Sequence, residues 1–307
     1  MRRWWVRPVV RIGAALMLPF MVPAIITGLI WALPGDPASL ICPPSQCKGT
    51  QALAERWNLD GGPVQFFSGW LSDAIVLDFG RSWSAFQGMD VGMLLADAIP
   101  VTCMLVALGS LWTFTGVFGA ATGWINRRLD PLLRTSGMIP VLILALVGAA
   151  LVDLKYGFGS SGQEGQLARL LIGSAVLGLA DGAFAGAVTG TRGLFSRESK
   201  QRYVGVAILR GETELANTLP NVTPALVGQI RARLLHLLSG AVVVEVMLKI
   251  DGLGDLLWAG TLEQDFGLVL ATATLFAFGS ALLLLMQAFT EIAVALHVRR
   301  SPKVEAA

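Results

Sequence analysis

The stretch Ser239-Gly-Ala-Val-Val-Val-Glu245-Val-Met-Leu-Lys249-Ile-Asp-Gly252-Leu-Gly254-Asp255 decides how the rest of the chain is interpreted. An apolar run carries one carboxylate, Glu245, near its end and then breaks at Gly252 and Gly254. Glycine is less favourable than alanine inside a helix by about 1 kcal/mol, so the two glycines indicate a sharp turn or close packing. This pattern is typical of a membrane helix whose outer end folds back against the protein.

The composition of the whole chain agrees with a membrane protein. The 307 residues are 54% hydrophobic and 14% charged. A soluble domain carries about 25% charged residues, so the composition predicts a polytopic membrane protein. The net charge of +2 gives no reason to expect a nucleic-acid partner. We therefore predict an all-α fold, a bundle of membrane-spanning helices.

Apolar runs of membrane-spanning length predict six transmembrane helices. They lie at about 12–33, 99–124, 135–154, 167–191, 230–249 and 268–296. The first is too long for a signal peptide and is expected to stay uncleaved. Pro100 is expected in the first turn of the second span, where proline is tolerated, and Pro140 is expected to kink the third.

The basic residues predict the orientation. Lys and Arg number 4 at the N-terminus, 3 in the 125–134 loop, 7 in the 192–233 region and 3 in the tail. The remaining segments contain few basic residues, and the long 34–97 segment is acidic. By the positive-inside rule, both termini are cytoplasmic and the 34–97 loop faces outside.

Two ionisable residues lie within predicted spans, Asp181 and Glu245. A charge inside a membrane is costly and tends to face the bundle interior or water. Both carboxylates are therefore candidates for the translocation path or a gate, together with Gly252 and Gly254. The alternative is a structural role, in which each carboxylate forms a hydrogen bond with a neighbouring helix or lies near the membrane interface.

Several motifs carry a resemblance to a known family: Leu59-Asp60, Asp78-Phe-Gly-Arg-Ser82, Gly240-Ala-Val-Val-Val-Glu245, Gly252-Leu-Gly254 and Asp265-Phe266. The chain resembles permease subunits of the dipeptide/oligopeptide/nickel family of binding-protein-dependent ABC importers, which have a type I transmembrane domain. The resemblance covers nearly the whole chain. It implies an inner-membrane, multi-pass permease that forms half of a homodimeric or heterodimeric pore for small solutes, either peptides or nickel-like cargo.

The resemblance also implies a cytoplasmic loop that couples the permease to a separate ATPase. In the family this loop is marked by Glu-Ala-Ala, a glycine six residues after the glutamate, and a later Leu-Pro. Here Gly205 replaces the glutamate, Val206 replaces the first alanine, and the Leu-Pro arrives about four residues early, which predicts a shortened coupling helix. The residues assigned to this loop are Arg192, Tyr203, Val204, Ala207, Gly211, Leu219, Pro220 and Asn221.

The partners implied by the resemblance are a second permease, cytoplasmic ATP-binding subunits and a periplasmic solute-binding protein, all acting at a lipid bilayer. The 192–224 segment is expected to contact the ATPase. The 34–97 loop and the 252–265 segment are expected to contact the binding protein. Three regions follow: 1–98 with the first span and its long loop, 99–298 as the permease core, and 299–307 as a cytoplasmic tail.

Two further expectations concern chemistry. Cys42 and Cys47 face an oxidising compartment in this orientation, so a local disulfide is favoured over two free thiols, and the pair alone offers too few ligands for a metal. No phosphate-binding loop or catalytic triad pattern occurs, so neither ATP hydrolysis nor a cofactor is expected. The alternatives left open are a transport-deficient structural subunit and a membrane enzyme that uses Asp181 and Glu245 as an acid pair.

Overall fold

In a computed structural model, the described residues are 5–32, 37–41, 51, 54–55, 59–158 and 162–300. This part of the chain is helical and contains no strand, which confirms the predicted all-α class. Its α-helices, α1 to α12 in chain order, are Val6–Ala32, Pro37–Ile41, Gly62–Ile75, Val91–Ala121, Asp130–Ser136, Val141–Tyr156, Gln163–Leu179, Ala183–Glu198, Arg202–Leu209, Glu214–Leu248, Leu253–Leu262 and Phe266–Arg300.

Four helical segments of the described chain are long and apolar enough to cross a membrane. They are α1, α4, the α7–α8 segment and α12, and the bent pair formed by 127–136 and α6 makes a fifth if it counts as one span. Helix α10 is long enough, but its last 18 residues include Arg231, Arg233 and Glu245. The multi-pass membrane fold is confirmed, whereas the number six and the orientation of the termini stay predictions.

The second predicted span begins earlier than expected. Helix α4 starts at Val91, eight residues before Ile99, so Pro100 lies inside the helix and not in its first turn. A proline inside a helix removes one backbone hydrogen bond, and a continuous apolar helix tolerates this loss when its neighbours pack against it.

The third and fourth predicted spans are each broken into two helices. The axes on either side of Ser136–Val141 differ by 84°, so the expected kink at Pro140 is a full break. Helices α7 and α8 are separated at Ala180–Gly182, where Asp181 has a φ of 47° and Gly182 a φ of 71°. Left-handed backbone conformations cannot continue a right-handed helix, so the helix is interrupted at these two residues.

The helix that contains the fifth predicted span begins well before the predicted start at about residue 230. Helix α10 starts at Glu214 and runs for 35 residues with Pro220 and Pro224 inside it. Leu219, Pro220 and Asn221, which were expected in the coupling loop, therefore lie in this helix. Each proline removes one backbone hydrogen bond, but the helix continues through both positions.

By its internal contacts the chain divides into two units, and the first comprises Met1–Ala15, Met104–Leu248 and Leu282–Ala307. In this unit α10 packs against α6, α7 and α8. Gly178 lies against the Trp112 ring, Gly186 against Arg233 and Gly190 against Gln229, each so closely that a β-carbon would collide. These glycines of α7 and α8 therefore permit close packing against α4 and α10.

The second unit comprises Leu16–Cys103 and Lys249–Ala281. Its larger core joins the start of α4 to α11 and α12 through Val91, Leu95, Leu253 and Leu268. An aromatic series continues from Trp31 to Phe66, Trp83 and Phe266, with ring centroids 5.2 to 6.3 Å apart.

Candidate functional site

The predicted coupling residues include a short helix with a defined end. Helix α9 contains eight residues, Arg202–Leu209. Gly211 has a φ of +85°, its N–H donates to the Ile208 carbonyl at 2.9 Å, and the N–H of Glu212 donates to the Ala207 carbonyl at 3.1 Å. This is a Schellman motif, which uses the left-handed glycine to satisfy the last carbonyls of a helix.

One face of α9 packs against the protein and the other faces outward. Val204 is fully buried and Ala207 is 8% exposed. The opposite face of the helix presents Gly205, Val206 and Leu209, and the Leu209 side chain is 88% exposed. A β-carbon placed on Gly205 would meet nothing within 4 Å, so the position where the family has glutamate is open.

Tyr203 connects α9 to the helices on both sides. Its hydroxyl donates to the Glu198 carboxylate at 2.7 Å and accepts from the Asn221 side-chain amide at 2.7 Å. Burial raises the pKa of the Tyr203 hydroxyl, and the hydrogen bond to Glu198 raises it further. The hydroxyl therefore keeps its proton at neutral pH and joins the end of α8, helix α9 and the start of α10.

Arg192 lies in α8 and not in the loop to which the sequence assigned it. Its guanidinium pairs with the Asp130 carboxylate and donates to the Ile125 carbonyl. Asp130 begins α5, so Arg192 fixes the start of that helix beside α8. Of the eight predicted coupling residues, only Tyr203, Val204 and Ala207 lie in α9, with Gly211 in the turn that follows.

Asp181 lies at the break between α7 and α8 and contacts the other broken span. Its Oδ1 accepts from the backbone N–H of Val141 at 3.1 Å, and its own N–H donates to the Ile139 carbonyl at 3.1 Å. Val141 is the first residue of α6, so the carboxylate satisfies an amide at a helix N-terminus, where a negative charge is favourable. His236 of α10 lies 3.7 Å from its Oδ2.

Glu245 is fully buried near the end of α10. Asp181 lies beside His236 of α10, and His236 precedes Glu245 by nine residues on that helix. That spacing corresponds to roughly 13 Å along a helix axis. The two carboxylates therefore do not form a pair.

The two glycines after α10 are buried, and the sharp turn lies just before them. Lys249 has a φ of 53°, whereas Gly252 has an extended φ of −113° and caps α11. The next amide, that of Leu253, donates to the Thr102 hydroxyl of α4 at 2.7 Å. The Gly252 N–H donates to the Ile250 carbonyl at 2.7 Å, so Gly252 ends the turn and begins α11.

Asp265 carries a set of contacts that the sequence analysis did not anticipate. Its side chain is fully buried, and its Oδ2 accepts from the Ser82 hydroxyl at 2.5 Å and from the Trp83 N–H at 2.8 Å. The N–H groups of Ser84 and Ala85 approach the same oxygen at 3.1 and 3.3 Å. Two family-like motifs that are 183 residues apart thus meet at one carboxylate.

Arg169 lies inside the fourth predicted span, where the motifs assign it no role. Its side chain is buried, donates to the Leu248 carbonyl at 2.6 Å and pairs with the Asp153 carboxylate at 2.6 Å. A buried arginine at the C-terminus of a helix satisfies a carbonyl that has no partner within that helix. The sequence signal was the presence of an arginine inside an apolar helix, which requires a partner.

Cys42 and Cys47 lie outside the described residues, so their predicted disulfide stays a prediction.

Comparison with known proteins identifies the family. The profile described as "Binding-protein-dependent transport system inner membrane component" matches residues 112–301. The chain is also 26% identical over 272 residues to the glutathione transport system permease protein GsiC of Shigella boydii serotype 4 (strain Sb227), covering 84% of this chain and 87% of that protein. The GsiC protein of Escherichia coli (strain K12) gives the same identity and the same coverage.

These matches agree with the motifs and the helical membrane fold, and the family consists of transport proteins and not of enzymes. Because the profile covers well over half of the sequence, the chain belongs to the family of binding-protein-dependent transport system inner membrane components and is an inner-membrane permease subunit of an ABC importer.

Proposed function

We propose that this permease forms half of a pore for small peptide-like solutes and is driven through α9 by a separate ATPase. The observation that carries the proposal is the geometry of α9, a short helix packed on one face and open on the other. Its outward face carries Val206 and Leu209, which are 48% and 88% exposed. Exposed apolar side chains on an otherwise anchored helix are typical of a docking element.

The chemistry of α9 predicts an apolar contact with the ATPase. Gly205 has no side chain where the family has glutamate, and the neighbouring Val206 and Leu209 supply an apolar surface. Arg202 and Arg210 border that surface and are exposed. A complementary groove would therefore be apolar with carboxylates at its edge, which fits an ATPase that has co-evolved with this permease.

The contacts of Tyr203 provide a route for movement. Because its hydroxyl joins Glu198 of α8 to Asn221 of α10, a displacement of α9 is passed to both helices. We propose that α10 then carries the movement to the segment around Glu245, Gly252 and Gly254, which acts in gating. Asp181 has a structural role in this scheme, since it holds the two broken spans together.

The remaining partners follow from the importer class. We propose a second permease beside this chain, a pair of ATP-binding subunits in the cytoplasm and a solute-binding protein outside. The outer contacts involve the 34–97 loop and the 252–265 segment. The contacts of Asp265 support a shared outer surface, because they join the 34–97 loop to the 252–265 segment within one unit.

The proposed cargo class rests on the relatives, which are permeases of glutathione transport. A small peptide is therefore the first candidate cargo for this chain. A nickel-like cargo is the second candidate, and competition with unlabelled nickel during peptide uptake distinguishes the two.

The test of the proposed function is reconstitution in nanodiscs. We expect the permease to co-purify with ATP-binding subunits whose ATP turnover rises when a solute-binding protein and a small peptide are added. We also expect Leu209→Glu to abolish this stimulation, because it places a charge on the proposed apolar contact. The exposed substitution Leu132→Glu, in α5 and outside α9, is the matched control and should leave stimulation intact.

Two outcomes would favour the alternatives. ATP turnover that never responds to a binding protein would favour a transport-deficient structural subunit. An enzyme that uses Asp181 and Glu245 as an acid pair is disfavoured, because Asp181 lies beside His236, nine residues before Glu245 along α10. A reaction catalysed by the purified chain and abolished by both Asp181→Asn and Glu245→Gln would contradict the present proposal.

A further inference from the structure

Three consecutive apolar residues are exposed at the end of α3. Ile75, Val76 and Leu77 are 69, 73 and 76% exposed, and we call them the apolar tip. Asp73 and Asp78 stand on either side of the tip and are also exposed. Single exposed apolar residues are ordinary on a protein surface, but a contiguous group with a polar rim marks an interaction site.

The backbone of Leu77 makes the exposure of its side chain informative. Leu77 has a φ of 65°, a left-handed conformation that glycine adopts with less strain. Its N–H donates to the Ala74 carbonyl at 3.0 Å and the N–H of Asp78 donates to the Asp73 carbonyl at 3.0 Å, so Leu77 stands where a helix cap normally has glycine. The left-handed conformation of Leu77 serves to end α3, whereas its side chain is exposed and does not pack in the unit.

The charge around the apolar tip indicates what it contacts. Between Arg56 and Arg81 the sequence contains Asp60, Asp73 and Asp78 and no lysine or arginine. Carboxylates are repelled by anionic lipid headgroups and attracted by basic residues of a protein partner. A permanent subunit interface is large and apolar, whereas a three-residue anchor with an acidic rim suits a partner that binds and leaves.

We propose that the apolar tip is an anchor for the solute-binding protein, inserted into an apolar pocket that has basic residues at its edge. This inference rests on the proposed function, which supplies that partner, and on the predicted outward orientation of the 34–97 loop. The apolar side chains of Val76 and Leu77 provide the buried centre of the contact. Asp73 and Asp78 provide its charged edge and set the orientation of the partner.

The test uses the complete importer in nanodiscs and the binding protein that stimulates the wild-type complex. The measured quantity is the binding-protein concentration that gives half-maximal stimulation of ATP turnover. Leu77→Asn removes the apolar group but accepts the left-handed conformation, so we expect this concentration to rise about tenfold or more. Thermal stability of the variant should be equal to or greater than that of the wild type, because the strain is relieved.

Matched variants separate the anchor from general damage. Leu77→Met keeps an apolar side chain and should retain a near-wild-type concentration for half-maximal stimulation. Leu132→Asn replaces an apolar residue of α5 that is 65% exposed, outside the proposed contacts with the binding protein, and should also leave the concentration unchanged. Asp73→Lys reverses one rim charge and should raise the concentration, with a larger effect at low salt than at high salt.

The possible results distinguish the two proposals. If no binding protein stimulates the wild type, the proposed function fails, and the partner assigned to the apolar tip fails with it. If the wild type responds and Leu77→Asn responds at the same concentration, only the anchor is wrong. An effect of Leu77→Asn that depends on the lipid charge of the nanodisc would identify the bilayer as the occupant and would also overturn the anchor.

Discussion

At the residue scale, a single buried guanidinium joins three helices of the first unit. Arg169 of α7 pairs with Asp153 of α6 and donates to the Leu248 carbonyl at the end of α10. Its side chain is 3% exposed and that of Asp153 is 21% exposed, so the ion pair is largely shielded from water. A buried charge is costly without partners, so the Arg169 guanidinium needs both the Asp153 carboxylate and the Leu248 carbonyl.

We predict that Arg169→Met destabilises the folded permease by about 3–5 kcal/mol, since it leaves the Asp153 carboxylate without its partner. The change is measured as the loss of thermal stability in detergent or in nanodiscs. The double variant Arg169→Met, Asp153→Asn removes both charges and should recover part of the loss. Equal stability of the single variant and the wild type would show that water replaces the arginine.

A second residue-scale prediction concerns pH. Burial raises the pKa of the Asp255 carboxyl in α11, and the neighbouring Asp251 carboxylate raises it further. A carboxyl whose folded-state pKa exceeds its unfolded value favours the folded state at low pH, and this contribution is lost as pH rises through the folded-state pKa.

We therefore expect Asp255→Asn to be more stable than the wild type at neutral pH, with the difference disappearing toward about pH 4, where the unfolded carboxyl titrates. Melting temperatures of the two proteins across this range give the comparison. Glu263→Gln, at the exposed end of the same helix, is the control and should follow the wild-type curve. A difference between Asp255→Asn and the wild type that grows as pH falls would contradict the predicted sign.

The sequence identified several of these residues but not their contacts. Asp181 and Glu245 were found because an ionisable residue in an apolar run is conspicuous. The contacts of Asp265 with residues 82–85 and of Arg169 with Leu248 join positions far apart in the chain. No local periodicity records such pairings, since they arise only when separate helices pack.

At the element scale, the ends of α9 decide its geometry. Gly211 supplies the left-handed turn that closes the helix, whereas Gly205 lies inside the helix with open space around it. The same substitution at these two glycines should therefore have opposite effects.

We predict that Gly211→Ala destabilises the α9 turn by about 1 kcal/mol or more, because alanine is strained at a φ of +85°. Gly205→Ala should stabilise the same helix by about 0.5–1 kcal/mol, because glycine is unfavourable in a helix interior. Amide hydrogen exchange of residues 206–209 measures both effects. Slower exchange in Gly211→Ala than in the wild type would exclude the Schellman cap as the origin of the helix end.

The helices themselves were predictable only in part. Apolar runs located α1, α4 and α12, because a long unbroken hydrophobic segment has few alternatives. The break at Asp181–Gly182 was missed, since a left-handed aspartate leaves no mark in hydropathy. The early start of α10 was missed because two prolines four residues apart, Pro220 and Pro224, are typical of a loop in the local sequence.

At the scale of the whole molecule, the distribution of basic residues predicts which side of the membrane each segment occupies. This orientation places α9 in the cytoplasm and α3 outside. The proposals for the ATPase and for the binding protein both depend on it.

We predict that the thiol of Lys200→Cys reacts with a membrane-impermeant maleimide only in inside-out vesicles. The thiol of Val64→Cys should react with it only in intact spheroplasts. Both substitutions are made in a variant without Cys42, Cys47 and Cys103, so that the introduced thiol alone is labelled. Labelling of position 200 from the periplasmic side would reverse the orientation and exclude α9 as the ATPase contact.

The unbroken course of α10 has a mechanical consequence for this scheme. The helix is 35 residues, or roughly 50 Å, long, with Asn221 tied to Tyr203 near its beginning and the Leu248 carbonyl tied to Arg169 at its end. Pro220 and Pro224 each remove a backbone hydrogen bond in the first third, so bending is easiest there. In the predicted orientation the remainder is a stiff lever whose pivot lies on the cytoplasmic side, so a small tilt at the pivot gives a larger displacement at Leu248.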